Sequence, residues 1–248
     1  MWIKICGNTN LDDAEAAVAA GANALGFVFA PSPRQVSADR VAGITARLPQ
    51  RIERYGVFVA PTFDEVVQTV RTAGLSGVQL HTTSDPTLPA RLREHFSAIP
   101  QRRRLGLLKV LHFPAAPSSP CAEHEVLSDP QDEFNRQLQS LQTDHSADAV
   151  LIDSRTAMAP GGTGVRFDWA AASGAFLKAA PHLRIIVAGG LSPQNVAEAI
   201  ATMRPWGVDV VTGVEAEPGR KDHAKVREFI ARARATARAL ASTAYARA

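Results

Sequence analysis

The chain has 248 residues, 46% hydrophobic and 21% charged, enough apolar material for one large domain or two small ones and too much for a disordered tail. Its formal charge is only +3, and its two cysteines, Cys6 and Cys121, fit neither a disulfide framework nor a metal-type Cys-x-x-Cys pair. No apolar run approaches the ~18–20 residues that span a bilayer, and Met1 to Gly7 lacks the blocks of a secretion signal, so a soluble protein of the reducing cytoplasm is expected.

The basic excess is peripheral. Arg102, Arg103 and Arg104 form one run, and Arg227, Arg232, Arg234 and Arg238 decorate the last helical segment. No aromatic residue interleaves with the first, and Phe229 within the second belongs to the apolar inner face of that helix. Both read as solvated faces, and neither nucleic acid nor a membrane is expected as partner.

In chain order, the first strand is Trp2–Ile5, followed by a helix that Asn10 can cap and whose first turn carries Asp12 and Asp13 against the positive end of its dipole. The second strand, Ala24–Phe29, leads into the proline-stiffened loop Ala30-Pro31-Ser32-Pro33-Arg34. After a third strand, Arg54–Val59, Phe63, Val66, Val67 and Val70 fall on one helical face behind a Thr62–Glu65 capping box. Gly77–Leu80 and Leu105–Leu111 are the fourth and fifth strands.

The segment His112–Ser146 is long for a connection between a strand and a helix. Pro114, Pro117 and Pro120 argue against helix at its start, and Phe134–Leu141 could form one. It reads as an elaborated fifth loop and helix. Ala149–Ile152, Arg184–Val187 and Val208–Val211 are the last three strands. Ser192 as N-cap and Pro193 at the first helical position precede the apolar face Val196, Ala199, Ile200 and Met203, and Val226, Phe229, Ile230 and Ala233 give the final helix its inner face.

Eight such pairs in about 250 residues is the arithmetic of an α/β fold of the closed (β/α)8 TIM-barrel type, one domain over residues 1–248. The competing open, doubly wound sheet carries a glycine-rich fingerprint after its first strand, which Gly7-Asn8-Thr9 does not supply. In barrels of this type the reactive groups project from the C-terminal strand ends. Those ends carry Cys6, Arg34, His81, Asp153, the pair Gly189-Gly190, and Thr212-Gly213.

Each has a bland reading beside a chemical one. Cys6 is a small buried hydrophobe or a thiol base at the barrel mouth, needing only a modest shift from ~8.5 to act near neutrality. Asp153 is a cap or turn residue, or a partly desolvated carboxyl that serves as an acid. Arg34 is solvated, or grips a carboxylate in bidentate fashion. The doubled glycine loops after strands seven and eight fit a phosphate site as well as plain turns. His81 is a packed histidine or a proton shuttle. Cys121, Glu123 and His124 match no zinc spacing and read, with His112, Asp129 and Asp132, as a variable loop.

The residues also resemble a known family, phosphoribosylanthranilate isomerase of tryptophan biosynthesis. The likeness runs through Lys4-Ile5-Cys6-Gly7, Gly26-Phe27-Val28-Phe29, Ser32-Pro33-Arg34, Gly56-Val57-Phe58-Val59, Gln79-Leu80-His81 and Leu151-Ile152-Asp153-Ser154. It continues through Gly161-Gly162-Thr163-Gly164, Ala188-Gly189-Gly190-Leu191, Asn195 and Gly213-Val214-Glu215, ending at Pro218-Gly219-Lys221-Asp222. The resemblance implies an Amadori rearrangement of an aminoaldose phosphate, with Cys6 as general base, Asp153 as general acid and Arg34 on the anthranilate carboxylate. Gly189, Gly190, Thr212 and Gly213 would hold the phosphate, and Gln79, His81 and Gly162 would complete the pocket.

Proton transfers of this kind require neither metal nor organic cofactor, so none is expected. The expected partner is a small-molecule substrate, and the chain a monomer or homodimer. Three departures from the family pattern stand out: Thr82 where glycine is usual, Val211-Thr212 where two serines are usual, and the long fifth segment. Another phosphate-binding sugar isomerase or epimerase, or a catalytically silent phosphate-binding barrel, is the alternative.

Overall fold

The strand Trp2–Ile5 (β1) is buried at every residue, as a parallel strand covered on both faces must be. The computed structural model describes residues 1–81, 85–99, 104–114, 146–155, 169–170, 172–174 and 183–245. Within them β1 is followed by α1 (Leu11–Ala20), β2 (Ala24–Val28), α2 (Ala38–Thr45), β3 (Glu53–Phe58), α3 (Phe63–Thr72), β4 (Gly77–Leu80) and α4 (Leu88–Ser97). Then come β5 (Gly106–Pro114), β6 (Ala149–Arg155), β7 (Ile185–Val187), α5 (Val196–Met203), β8 (Gly207–Val210), a 3-10 turn at Thr212–Val214, β9 (Glu215–Glu217), β10 (Arg220–Lys221) and α6 (His223–Tyr245).

The first eight strands pair in sequence order and close on themselves. The closing pair is parallel, with Trp2 opposite Gly207 and Ile5 opposite Val210. A closed barrel rules out the open doubly wound sheet. No helix among the described residues is long and apolar enough to cross a membrane.

Alternation along each strand sorts the core into two layers. Ile3, Ile5, Leu25 and Phe27 face outward and meet the helices through Val66, Val70, Val226 and Phe229, all of them fully buried. Each such side chain contributes roughly 1.5–3 kcal/mol by leaving water. Trp2, Tyr55, Leu108, Leu151 and Ile186 belong to the inner layer. Trp2 stands edge-on to Tyr55 at 6.0 Å and stacks on Trp206 at 5.2 Å, flooring the barrel at its N-terminal end. The Tyr55 ring occupies the space in front of Gly77 and Gly106, where any Cβ would collide with it.

The helix starts follow local chemistry. Asn10 accepts from the Asp13 N–H at 2.9 Å, and Thr62 and Glu65 form the reciprocal capping box. Ser192 does not cap α5. The helix begins later, behind Asn195, and the Ser192 N–H donates instead to Asn195 Oδ1 at 2.8 Å.

Two strands overrun their expected ends. β5 and β6 pair over seven register positions, Leu108↔Ala149 to Pro114↔Arg155. Their ladder therefore continues past Leu111 and Ile152 and carries His112 and Asp153 as opposed residues. The long connection starts after Pro114, and its further course lies outside the described residues.

Candidate active site

At the C-terminal rim a cavity of about 690 Å³ is walled by Cys6, Arg34, Gln79, His81, Asp153, Gly189, Gly190, Thr212 and Gly213 together. That volume suits a small-molecule ligand. Gly162, Thr82, Cys121, Glu123, His124, Asp129 and Asp132 lie outside the described residues. His112, read as part of a variable loop, is on β5 instead, its ring 5.7 Å from that of His81.

Cys6 follows β1 and points inward, 3% exposed. Gly26 on β2 makes the space: a Cβ there would collide with Cys6 Sγ and lie 3.0 Å from Lys4 Cε. Burial pushes the thiol up from its ordinary value, Lys4 opposes this, and Asp209 adds to it. The shift is thus upward in the ligand-free protein, opposite to the modest lowering that a base near neutrality needs, and the resting group is the thiol.

Below Cys6 lies a charged layer in which Lys4 meets partners that the sequence alone does not supply. Lys4 is completely buried. Its Nζ donates to Gln79 Oε1 at 2.8 Å and to Asp209 Oδ1 at 3.0 Å. Desolvation alone would lower the lysine, but Asp209 and Cys6 hold its pKa above the ordinary value. A charged residue inside the run Trp-Ile-Lys-Ile is the one signal the sequence offers. Its inward neighbours come from strands 75 and 205 residues away.

Arg34 is carried by the loop after β2, whose turn is fixed by the Arg34 N–H donating to Ser32 Oγ at 3.0 Å. Its guanidinium is held edge-on by Glu215, Nε to Oε1 at 2.8 Å and Nη2 to Oε2 at 2.7 Å. Gly7, with φ +73°, lets the arginine stem pass: a Cβ there would lie 2.9 Å from Arg34 Cδ. Burial would raise the Glu215 carboxyl, yet the Arg34 hydrogen bonds and the Lys221 charge hold it below its ordinary value. Lys221 Nζ lies 3.3 Å from Glu215 Oε1, and the Gly219 N–H donates to the same oxygen at 3.2 Å. Glu215 also escaped the sequence reading as a site residue, since its partner is 181 positions away.

Gly189 and Gly190 have φ of +72° and +63°, a left-handed backbone that glycine adopts without cost. Asn195 Nδ2 donates to the Gly190 carbonyl at 2.8 Å and pins this loop ahead of α5. Gly213, on the 3-10 turn, packs against the Leu191 carbonyl so closely that no Cβ fits. Two glycine loops are thereby apposed beside a helix N-terminus, an arrangement of backbone N–H groups that suits an anion.

Asp153 is 7% exposed on β6, across the cavity from β1. Gln79 Nε2 and His81 Nε2 lie 3.0 Å apart. Burial, with His112 and Lys4 adding to it, lowers the His81 pKa from the ordinary 6.5 to about 3, so the ring is neutral. The rim thus offers a buried carboxyl, a thiol beside a cation, an arginine and an anion cradle around one space.

Comparison with known proteins gives a consistent result. The family model described as N-(5'phosphoribosyl)anthranilate (PRA) isomerase matches residues 3–105 and 124–232. A protein named N-(5'-phosphoribosyl)anthranilate isomerase from Pelobacter propionicus is 40% identical over 235 residues, 94% of this chain and 96% of that one. The crystal structure of phosphoribosyl anthranilate isomerase from Thermotoga maritima superposes with a TM-score of 0.75 at 32% identity, covering 95% of this chain and 99% of that one. A phosphoribosyl anthranilate isomerase in complex with reduced 1-(o-carboxyphenylamino)-1-deoxyribulose 5-phosphate superposes at 0.72 with 31% identity and the same coverage.

Proposed function

This chain belongs to the N-(5'-phosphoribosyl)anthranilate isomerase family, and from that premise we propose how its own residues perform the reaction. The activity is the isomerisation of phosphoribosylanthranilate in tryptophan biosynthesis. The observation that carries the mechanism is the convergence of Cys6 and Asp153, from β1 and β6, on one cavity that Arg34 and two glycine loops also wall.

Asp153 gives its proton to the ring oxygen of the aminoribose, the ring C–O bond breaks, and the nitrogen lone pair forms an iminium. Cys6, having released its resting proton to water, removes as thiolate the proton from C2′, and the electron pair of that C–H bond neutralises the iminium to give an enolamine. The enolamine gains a proton at C1′ and loses one from the C2′ hydroxyl, leaving the aminoketone with no net change in protons. The iminium charge acts with that of Lys4 in favour of the thiolate, offsetting the burial that keeps Cys6 protonated at rest.

Arg34 binds the anthranilate carboxylate. Gly189, Gly190, Thr212 and Gly213 hold the phosphate, with Gln79, His81 and Gly162 completing the pocket. Its place is the cytoplasm, as a monomer or homodimer of one barrel domain over residues 1–248, with an elaborated fifth connection and neither nucleic acid nor membrane as partner. The test is turnover of enzymatically generated phosphoribosylanthranilate, followed by the loss of substrate fluorescence. A folded protein that leaves the fluorescence unchanged refutes the reading.

A further inference from the structure

The steps above give Gln79 no chemical part and use Lys4 only as a charge, yet these two residues determine the state of a third. Lys4 Nζ donates to Gln79 Oε1 at 2.8 Å. An ammonium group has donors and no acceptor, so the atom that Gln79 turns to Lys4 has to be its carbonyl oxygen. The amide nitrogen is then the end that faces His81, whose Nε2 is 3.0 Å away. An amide NH2 donates and does not accept. His81 Nε2 must therefore offer its lone pair, and a neutral imidazole with a bare Nε2 carries its hydrogen on Nδ1.

His81 Nδ1 is buried and has no hydrogen-bond partner among the described residues, and His81 lines the cavity. Protonating Nε2 would set an N–H against the Gln79 amide hydrogens, with Lys4 behind them. The position of the amide is fixed in turn by Lys4, which Asp209 anchors from β8 at 3.0 Å.

We infer that Lys4 is a positioning residue: acting through Gln79, it locks His81 as the neutral Nδ1–H tautomer at the wall of the cavity. The consequence for turnover rests on the function proposed above; the tautomer does not. The one lone pair of His81 is already engaged by Gln79, so the ring does not abstract protons.

The test is a long-range proton–nitrogen correlation spectrum of the nitrogen-15-labelled protein at neutral pH, with the His81 signals assigned by their loss in His81→Gln. The expected pattern is a protonated Nδ1 and a bare Nε2. Gln79→Glu keeps the shape of the side chain and turns an acceptor to both neighbours, so His81 should switch to the Nε2–H form. Turnover by that variant should fall about tenfold or more, the scale of one misdirected buried hydrogen bond. Lys4→Met should give mixed tautomers and Lys4→Arg should restore the single form.

Should Lys4→Met fail to fold, Gln79→Glu still decides the matter. A wild-type His81 in the Nε2–H or doubly protonated form overturns the inference, as does a Gln79→Glu protein with an unchanged tautomer. The Nδ1–H form in a protein that does not turn over phosphoribosylanthranilate would uphold the lock and refute the proposed function instead.

Discussion

Glu215 holds Arg34 by one edge of the guanidinium, through Nε at 2.8 Å and Nη2 at 2.7 Å. Of the five N–H donors of an arginine, this engages two and leaves the Nη1–Nη2 end for a second carboxylate. Glu215 is itself fixed by Lys221 and the Gly219 N–H, so the grip is rigid. Arg34→Ala should raise KM about 10–100-fold, the worth of a charge-assisted pair, with kcat within a few-fold of wild type. Glu215→Gln should raise KM about tenfold while Arg34 is still present. Steady-state kinetics on both variants check this, and an unchanged KM in Arg34→Ala would remove the arginine from substrate binding.

Cys6 and Asp153 are assigned complementary proton transfers, and each has a near-isosteric substitute. Cys6→Ser and Asp153→Asn should each lower kcat by about 10²–10⁴, the usual range for losing a general acid or base. KM should stay within a few-fold, because Arg34 and the glycine loops supply the binding. A Cys6→Ser protein near wild-type activity would show that the sulfur is not the base.

Lys4 and Asp209 form a buried ion pair at 3.0 Å, the lysine completely and the aspartate almost completely shielded. Removing one member strands the other, which typically costs about 3–5 kcal/mol. Lys4→Met and Asp209→Asn should each lose stability on that scale in urea unfolding. The double variant should lose markedly less than the two added together, because no stranded charge remains. Strict additivity would mean that the pair is not coupled.

The apposition of the two glycine loops is testable at Gly213. Its φ is not in the left-handed region, so alanine is compatible with the backbone, yet a Cβ would collide with the Leu191 carbonyl and lie 2.9 Å from Ser192 Cα. The loops have to part. Gly213→Ala should weaken binding of inorganic phosphate at least about tenfold, roughly 1.4 kcal/mol, with the barrel's circular dichroism unchanged. Equal phosphate affinity would place the anion elsewhere.

What could be read in the sequence was whatever is written locally. The strands announce themselves as short β-branched runs, Asn10 and Thr62 as caps, and the glycine loops by composition. The misses have a common cause in distance. Lys4 looks like a polar interruption of a strand until its partners on β4 and β8 are known, and Glu215 looks like a surface acid until Arg34 reaches it. The short pair β9 and β10 is charged and lacks the apolar alternation that marks a strand. His112 falls in the loop when the strand is ended at Leu111, whereas the ladder with β6 continues to Pro114. Ser192 followed by Pro193 has the pattern of a cap with proline at the first helical position, but Asn195 occupies the position before the helix and uses both ends of its amide on the loop.

His81 leads to a prediction about acid stability. Its pKa falls from 6.5 in an ordinary setting to about 3 in the fold, through burial first and then the charges of His112 and Lys4. Between those two values the unfolded chain binds a proton that the native protein refuses. Stability therefore rises with pH through that window and is lost as pH falls from about 6.5 towards 3, with a slope approaching roughly 1.4 kcal/mol per pH unit for the one proton. Above about 6.5 the group contributes no slope. His81→Gln keeps a polar side chain that does not titrate, so its urea midpoint should decline less steeply than that of wild type between about pH 6 and pH 4. Other groups titrate in both proteins and cancel in the difference. Parallel declines would show that His81 takes up its proton in the native state as readily as in the unfolded one, and the ring would then be far more open to water than its place between Gln79 and His112 allows.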